Sequence, residues 1–456
     1  MSKGQLKVGV ASVNITPALG LEISGFSFGS SRGILDELYA KVLLLENENE
    51  TIVIITTDLI GFDFEYVDRI RDGIKNAIGV KKDHILLSAS HTHSGPATYF
   101  LRKWGDIDED YMNSLENKLV DATVWASQDL TQAEIGFGKG SVDNISNNRV
   151  ERWKYQEDRS IDPEVGVIKI VNEKGIMRAI LMNFSCHPTS LHSYGNLISA
   201  DYPGFARRTI EKAKGDLCVA FTQGAGGDIT PDPFEYLYHG TPENLKFFKR
   251  NGTILGCETL KVAEKIETTS EVDLWAKTQN VKLPLGKLPD KEFLEKTRQE
   301  GIDSLKRAAS LKDEFLPPTS GRVAIMKNLQ RYKTIKNAEA RIEWAELALK
   351  ELELGETKKY ISMEIQAIGI NDLVLVCIPA EVFHEIGLTI KKKSNFQYTH
   401  IVSIANGMVG YIPTKNAYEI EYPYETKMRR VYGVYPFSTD VEKVTIESAL
   451  QLINST

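Results

Sequence analysis

The sequence predicts an α/β fold in which mixed β-sheets pack together and are flanked by helices, with one helical insertion. Short apolar runs alternate with amphipathic stretches along the chain, which is the pattern of this fold class. A segment rich in Lys, Glu, Arg, Ala and Leu interrupts that pattern at 289–355. The 456 residues are enough to bury a large core. We expect one domain over 1–456, because no half of the chain holds all the candidate site residues.

Strands are predicted where Val, Ile and Leu cluster between turn residues, which is typical of buried strands. These runs are 51–57, 85–88, 179–184, 218–222, 373–378 and 401–404. Helices are predicted where apolar residues recur on one face. These segments are 65–78, 111–127, 202–214 and 253–267.

The composition of 289–355 strongly favours helix. Pro317, Pro318 and Gly321 divide it into at least two pieces. We interpret the segment as an insertion that covers one side of the functional site, and a partner-binding hairpin is the alternative. The sequence does not set the oligomeric state, although this insertion is a candidate interface for a homo-oligomer.

Charge and targeting signals limit the partners of the chain. The net charge of −7 is spread along the sequence, which argues against a nucleic-acid or anionic-membrane surface. No apolar signal core follows the first residues, and no apolar stretch is long enough to span a bilayer. The four cysteines are far apart and form no CxxC pair. We therefore expect a cytoplasmic protein with a small-molecule substrate and no stable membrane association.

The segment Ser88-Ala-Ser-His91-Thr-His93-Ser-Gly-Pro96 is the most informative one for chemistry. If the chain stays extended after the strand, His91 and His93 lie on the same face. Two imidazoles on one face could bind a metal, or one could bind it while the other transfers protons. The alternative is a pair of polar turn histidines.

Polar groups follow four more predicted strands. They are His187 in Ser-Cys-His-Pro, Asp228 in the glycine-rich segment 224–231, Glu381 in Ile-Pro-Ala-Glu, and Tyr411 between Gly410 and Ile412. The glycine-rich segment lacks the lysine of a phosphate-binding P-loop. Ligand sites gather where the strands of α/β sheets end. These coincidences favour a metal-dependent or acid/base enzyme.

Several segments together resemble the catalytic domain of the neutral ceramidase family and its bacterial relatives. They are Gly33-Ile-Leu-Asp-Glu-Leu-Tyr-Ala-Lys41, the segment Ser88–Pro96, Cys186-His-Pro, Gly227-Asp-Ile-Thr-Pro231, Ile378-Pro-Ala-Glu381 and Gly410-Tyr-Ile-Pro-Thr414. The matches run in order from about Gly9 to Tyr424, so the resemblance covers nearly the whole chain.

The resemblance implies a single zinc ion held by two histidines, a glutamate and a tyrosine. Carried over by position, these ligands are His91, His187, Glu381 and Tyr411. It also implies that His93 transfers protons. Arg149 and Tyr424 correspond to the groups that orient the substrate and polarise its carbonyl, with Tyr422 as the competitor of Tyr424.

Two departures from the family pattern bear on function. By the resemblance, the position of the family's catalytic serine is Gly224 here, and we expect the chain, which ends at Thr456, to lack the family's additional C-terminal β-domain. We therefore expect a zinc-dependent hydrolase that uses metal-activated water on an amide, an ester or lactone, or a cyclic diketone of a small substrate. The alternatives are a true ceramidase and a non-catalytic binding module with a structural zinc.

The remaining candidates have plain structural interpretations. His192, His239, His384 and His400 lie outside the matched segments, and we interpret them as surface or core histidines. Asp228 either braces its loop or contacts substrate. Asp58, which follows a predicted strand, is either a partner that orients a ligand histidine or a turn former.

Overall fold

The fold is described from a computed structural model of the chain. The structure describes residues 3–25, 29–150, 160–191, 196–215, 217–233, 242–310, 322–355, 358–419, 424–427 and 429–454. Within these ranges the side chains of 242, 322–330, 424 and 429 are not described.

The strands are numbered in chain order. They are β1 Gly4–Gln5, β2 Lys7–Asn14, β3 Gly33–Ile34, β4 Tyr39–Glu46, β5 Thr51–Thr57, β6 Ile85–Ala89, β7 Thr131–Ser141, β8 Ser146–Asn148, β9 Glu164–Asn172, β10 Met177–Phe184, β11 Leu197–Ile198, β12 Cys218–Gln223, β13 Ile229–Pro231, β14 Glu271–Val272, β15 Leu274–Pro284, β16 Tyr360–Ile370, β17 Leu373–Ile378, β18 Glu381–Val382, β19 Tyr398–Ser403 and β20 Tyr411–Ile412.

The α-helices are numbered in the same way. They are α1 Phe64–Ile78, α2 Glu109–Gln128, α3 Asp201–Lys214, α4 Pro242–Ala263, α5 Lys291–Ser310, α6 Arg322–Leu354, α7 His384–Lys393, α8 Tyr424–Lys427, α9 Arg429–Tyr432 and α10 Val441–Asn454.

Two mixed sheets form the centre of the fold. The larger one has the strand order β12-β10-β9-β7-β2-β4-β5-β6, and its outermost pairs at both edges, β12 with β10 and β5 with β6, are parallel. The smaller one has the order β15-β16-β17-β19, with β17 and β19 parallel and the other pairs antiparallel. This arrangement confirms the predicted α/β class with mixed sheets.

The two sheets pack face to face, and alternation along each strand explains why their strands are continuously apolar. In β5, Ile52 and Ile54 belong to the core between the sheets, whereas Val53 and Ile55 pack toward the helical layer. Cys377 of the smaller sheet also lies in the core between the sheets. Because both faces of β5 are buried, a period-two pattern of polar residues is absent from its sequence.

Helices cover the outer faces of the two sheets. The α1 and α2 helices pack on β4–β6, α3 and α4 pack on β9, β10 and β12, and α7 and α10 pack on the smaller sheet. In α1, the buried residues Val67, Ile70 and Ile74 recur at helical spacing and form the face toward the core. Burial of that face, rather than intrinsic propensity, explains the stability of the helix at this position.

The predicted strands and helices coincide with observed ones, with differences at their ends. The largest difference is in α4, which begins at Pro242 and ends at Ala263, whereas the sequence predicted 253–267. The antiparallel strands β2, β4, β7, β9, β15 and β16 were not among the predicted strands. Several of them contain Gly, Lys and Glu on partly exposed faces, so their apolar signal is weaker.

The described part of 289–355 contains two helices, α5 and α6, as predicted, and the segment connects two adjacent antiparallel strands, β15 and β16. Its helices α5 and α6 pack against each other. On α6, the side chain of Asn337 accepts a hydrogen bond from Trp104 Nε1 at 3.0 Å, and Glu343 pairs with Arg102. The insertion therefore rests on the segment that follows His91 and His93. Pro317, Pro318 and Gly321 lie outside the described residues.

Candidate metal centre

The candidate residues follow strands that end at one edge of the molecule. Backbone hydrogen bonds join these strand ends: Ala89 N donates to Ile404 O at 3.1 Å, and Gly224 N donates to Phe184 O at 2.9 Å. Glu381 N donates to Gly410 O at 3.0 Å. The main chain therefore brings the segments after β6, β10, β12, β17 and β19 together, as the rule for strand ends predicted.

The backbone around His91 departs from the expected extended path. The strand β6 ends at Ala89, and His91 has a φ of 70°, in the left-handed region. His91 and His93 still lie together, with ring centroids 4.8 Å apart. The expectation of an extended chain was wrong, and a turn rather than strand alternation produces their proximity.

The protonation of His91 and His187 follows from their carbonyl partners. His91 Nδ1 lies 2.6 Å from Ile60 O, and His187 Nδ1 lies 2.6 Å from Gly226 O. A carbonyl oxygen only accepts hydrogen bonds, so each Nδ1 carries the proton and each neutral ring keeps a lone pair on Nε2. Burial, aided by the charge of Arg149, lowers the pKa of His187 to about 4, which keeps this ring neutral at pH 7.

Both of these lone pairs point at one carboxylate. His91 Nε2 lies 3.3 Å and His187 Nε2 lies 2.9 Å from Oε2 of Glu381, and all three side chains are buried. Three buried atoms with lone pairs facing one another are unfavourable unless a cation lies between them. The donor set therefore fits a metal ion.

A third histidine belongs to the same cluster. Ligand atoms of His91, His93 and His187 all lie within 4.8 Å of one another, and the three side chains are buried. Gly25, with a φ of 90°, packs against the ring of His93, and a Cβ at this position would overlap Nδ1. This buried triad of histidines could hold a metal ion.

Tyr411 and Arg149 lie beside the histidines. The rings of His187 and Tyr411 are stacked with centroids 6.4 Å apart, and Arg149 Nη2 donates to the Tyr411 hydroxyl at 3.2 Å. Arg149 is itself fixed by Glu425 at 2.7 Å and by the carbonyl of Gly227 at 2.6 Å. A guanidinium at this distance stabilises negative charge on the phenolic oxygen.

Tyr432 is a member of the site that the sequence did not indicate. Its hydroxyl donates to Oε1 of Glu381, the carboxylate oxygen that does not face the histidines. Its ring stacks on Tyr99 with centroids 6.2 Å apart. No motif surrounds Tyr432, and it reaches the site through the packing of α9, so local sequence carries no signal for it.

Gly224 occupies the position at which the family resemblance implies a serine. A Cβ at Gly224 would overlap Oγ of Ser185 and lie 3.1 Å from the Phe184 carbonyl carbon. Ser185 is buried, and its hydroxyl donates to Asp162 Oδ2 at 3.2 Å. A side chain at position 224 would therefore require the Ser185 hydroxyl to move away from its present position.

The carboxylates of Asp228 and Asp58 contact side chains and backbone groups outside the proposed set of metal ligands. The carboxylate of Asp228 accepts hydrogen bonds from the backbone N of His384 at 2.9 Å and faces its Nδ1 at 2.6 Å. Asp58 forms a buried ion pair with Arg207 at 2.8 Å. Asp228 thus braces its loop. Asp58 joins a helix to the sheet, and its carboxylate contacts Arg207 rather than a candidate ligand.

The other histidines and tyrosines singled out in the sequence lie either in the core or in parts that the structure does not describe. His384 and His400 are buried in the core, whereas His192 and His239 lie outside the described residues. Tyr424 begins α8, but its side chain is not described, and Tyr422 lies outside the described residues. Among the described helices, none combines the length and the apolar composition that crossing a membrane requires.

Comparison with known proteins identifies the family. The family model for the N-terminal region of neutral/alkaline non-lysosomal ceramidases matches residues 6–236, just over half of the chain. Neutral ceramidase from Pseudomonas aeruginosa is 27% identical over 253 residues, which cover 49% of this chain and 38% of that protein. Neutral ceramidase B from Dictyostelium discoideum is 29% identical over 171 residues, 33% of this chain and 24% of that protein. These alignments thus span well under half of the relatives' own length.

Solved structures share the fold over almost the whole chain. The crystal structure of the Pseudomonas aeruginosa neutral ceramidase superposes with a TM-score of 0.74 at 20% identity, covering 99% of this chain and 74% of that one. A ceramidase complexed with C2 superposes with a TM-score of 0.72 at 18% identity. On the match of the family model, the chain belongs to the neutral/alkaline non-lysosomal ceramidase family of hydrolases.

Proposed function

We propose that the protein is a zinc-dependent hydrolase that cleaves a bond at the carbonyl group of a small substrate. The substrate is an amide, an ester or lactone, or a cyclic diketone. One observation carries the proposal. The lone pairs of His91 Nε2 and His187 Nε2 converge on Oε2 of Glu381 at 3.3 and 2.9 Å in a buried site. Imidazole nitrogen and carboxylate oxygen are ligands that zinc prefers.

The proposed ligands are His91, His187, Glu381 and Tyr411. Zinc bound there would supply Lewis-acid polarisation of the substrate carbonyl and would lower the pKa of a water molecule to about 7. The carbonyls of Ile60 and Gly226 hold the two imidazoles in the tautomer that a metal ligand needs. The Arg149 guanidinium, 3.2 Å from the Tyr411 hydroxyl, favours the phenolate.

The proton transfers are assigned to His93. Its ring centroid lies 4.8 Å from that of His91 and 5.8 Å from that of His187, so it borders the ligands. In the proposed reaction His93 accepts the proton of the attacking water and returns it to the leaving group. Arg149 orients the substrate, with Glu425 fixing the guanidinium. Tyr424 is retained as the carbonyl-polarising group on the family resemblance alone.

The polar groups of the site and Gly224 support the proposed substrate class. Without a serine at position 224, a step that requires that hydroxyl would not proceed, whereas attack by water activated at a bound zinc would not need it. The identified site groups are polar: three histidines, a carboxylate, a guanidinium and two phenols. They suit a small polar substrate, such as a ring derived from a sugar or a cyclitol.

A screen with a matched inactive variant tests this function. Zinc-loaded protein and Glu381→Ala would be compared on panels of amides, lactones and cyclic diketones. We expect turnover of at least one class by the wild type and none by the variant. Equal turnover by Glu381→Ala would exclude the proposed site.

A true ceramidase is the second candidate, supported by family membership and by the ceramidases named among the relatives. It predicts release of fatty acid from ceramide in detergent micelles by zinc-loaded protein. Ceramide turnover that depends on Glu381 would establish this candidate, and its absence together with turnover of a small carbonyl compound would exclude it.

A further inference from the structure

A second cluster of reactive side chains lies next to the proposed zinc site. Ser160 Oγ lies 2.8 Å from Nε2 of His384, and Nδ1 of the same ring lies 2.6 Å from Oδ2 of Asp228. Ser160 is exposed, whereas His384 and Asp228 are 1% and 2% exposed. The hydroxyl of an exposed serine is thus hydrogen-bonded to a buried imidazole, which in turn contacts a buried carboxylate.

The partners of His384 fix which nitrogen carries its proton. A carboxylate oxygen accepts hydrogen bonds, so Nδ1 carries the proton toward Asp228 and the lone pair of Nε2 faces the serine hydroxyl. Burial alone raises the pKa of Asp228, but hydrogen bonds from the imidazole and the backbone N–H of His384 bring it below its ordinary value, so Asp228 is ionised. An ionised carboxylate on Nδ1 stabilises the imidazolium that forms when Nε2 accepts a proton.

Surrounding contacts hold this geometry in place. Asp228 Oδ1 also accepts the backbone N–H of His384, the first residue of α7, which fixes the carboxylate at the positive end of that helix. The side-chain amide of Asn148 donates to the backbone carbonyl of Ser160 at 3.2 Å and to Asp228 Oδ2 at 3.4 Å. One side chain therefore sets the spacing between the serine and the carboxylate.

We propose that Ser160, His384 and Asp228 form a nucleophilic site, separate from the proposed zinc site, that takes activated acyl esters from solvent. Ser160 Oγ attacks the ester carbonyl, its proton passes to His384 Nε2, and the leaving alkoxide departs with that proton. Water then attacks the acyl-serine and gives a proton to His384, and the carboxylic acid leaves as the proton returns to Oγ. Each step needs only the ester and water.

Labelling with a fluorophosphonate tests the site directly. The reagent forms an Oγ–P bond as the P–F bond breaks, with the serine proton going to His384 and fluoride leaving to solvent. Purified, zinc-loaded protein would be labelled and the adduct located by peptide mass spectrometry. Ser310 is the internal control, because it is exposed and its hydroxyl donates to a carbonyl rather than to an imidazole.

We expect Ser160 to be labelled about 100-fold faster than Ser310, the scale of general-base assistance. His384→Asn keeps an amide that can contact Asp228 and removes the base, so labelling of Ser160 should fall to the rate of Ser310. Ser160→Ala should lose the adduct and keep its zinc content. Equal rates at Ser160 and Ser310 in the wild type, or an unchanged rate in folded His384→Asn, would overturn the proposal. If His384→Asn does not fold, the wild-type ratio of the two rates decides.

Discussion

Glu381 and Tyr411 are direct register partners in the short parallel ladder between β18 and β20. Partners in a parallel ladder project their side chains to the same side, so main-chain pairing alone brings the carboxylate and the phenol to one face. Glu381 follows β17 and Tyr411 follows β19, both strands of the smaller sheet, whereas the histidines follow strands of the larger one. The proposed ligands therefore come from both sheets, and the site depends on how the two sheets pack.

Replacement of His93 separates a proton-transfer role from a ligand role. We expect His93→Ala to keep about one zinc per chain and to lose about 100-fold or more in kcat, because a general acid/base contributes that much. The measurements are zinc content and turnover of the substrate found in the screen. His84→Ala, which removes a buried histidine that bonds Thr51 instead, serves as the control and should keep its activity. Loss of zinc from His93→Ala would instead make His93 a ligand.

Tyr432 is expected to tune zinc affinity through Glu381. Its hydroxyl donates to Oε1 and leaves Oε2 to face the histidines. Removing a hydrogen bond to a ligand typically weakens metal binding 10- to 100-fold, so Tyr432→Phe should weaken zinc binding by at least about 10-fold in a competition titration with a chelator. Tyr435→Phe is the matched control, because that hydroxyl bonds Glu351 on α6 at 2.9 Å. Equal zinc affinity in the two variants would show that Tyr432 does not position Glu381.

His400 should make stability depend on pH. Burial, with the charge of Lys391, lowers its pKa to about 3, against about 6.5 in an unfolded chain. Between these values the unfolded chain binds more protons, so stability decreases as the pH falls below about 6.5. We expect this one group to account for a loss of about 2 kcal/mol between pH 7.5 and pH 5.

The pH effect is measured by comparing the wild type with His400→Leu in denaturant titrations at both pH values. The variant should lose about 2 kcal/mol less than the wild type over this interval. Because other titrating groups are common to both proteins, their effect cancels in the comparison. Parallel losses in the two proteins would contradict a neutral, buried His400.

The sequence was sufficient to predict the candidate residues at the ends of strands, because the apolar runs that identify a strand also mark where it ends. His187 and Glu381 each follow an uninterrupted apolar run, and such runs are both the clearest strand signal and the marker of the sheet edge where ligands bind. The resemblance to the family then supplied their roles. The antiparallel strands β7 and β16 were not predicted, since Lys139 and Glu364 interrupt their apolar pattern.

Contacts between distant segments could not be predicted. Tyr432 reaches Glu381, and Ser160 reaches His384, across 51 and 224 positions of sequence through the packing of separate elements. Neither pair has a spacing that local periodicity records. The left-handed backbone at His91 was also not predicted, because no Gly or Asn marks that position.

The metal content of the purified protein tests the central claim most directly. Elemental analysis of the wild type, His91→Ala and His84→Ala would be run side by side, without chelator and after zinc is added back. We predict about one zinc per chain in the wild type and in His84→Ala, and none in His91→Ala. A wild-type protein that holds no zinc even after metal is added back would contradict the ligand assignment.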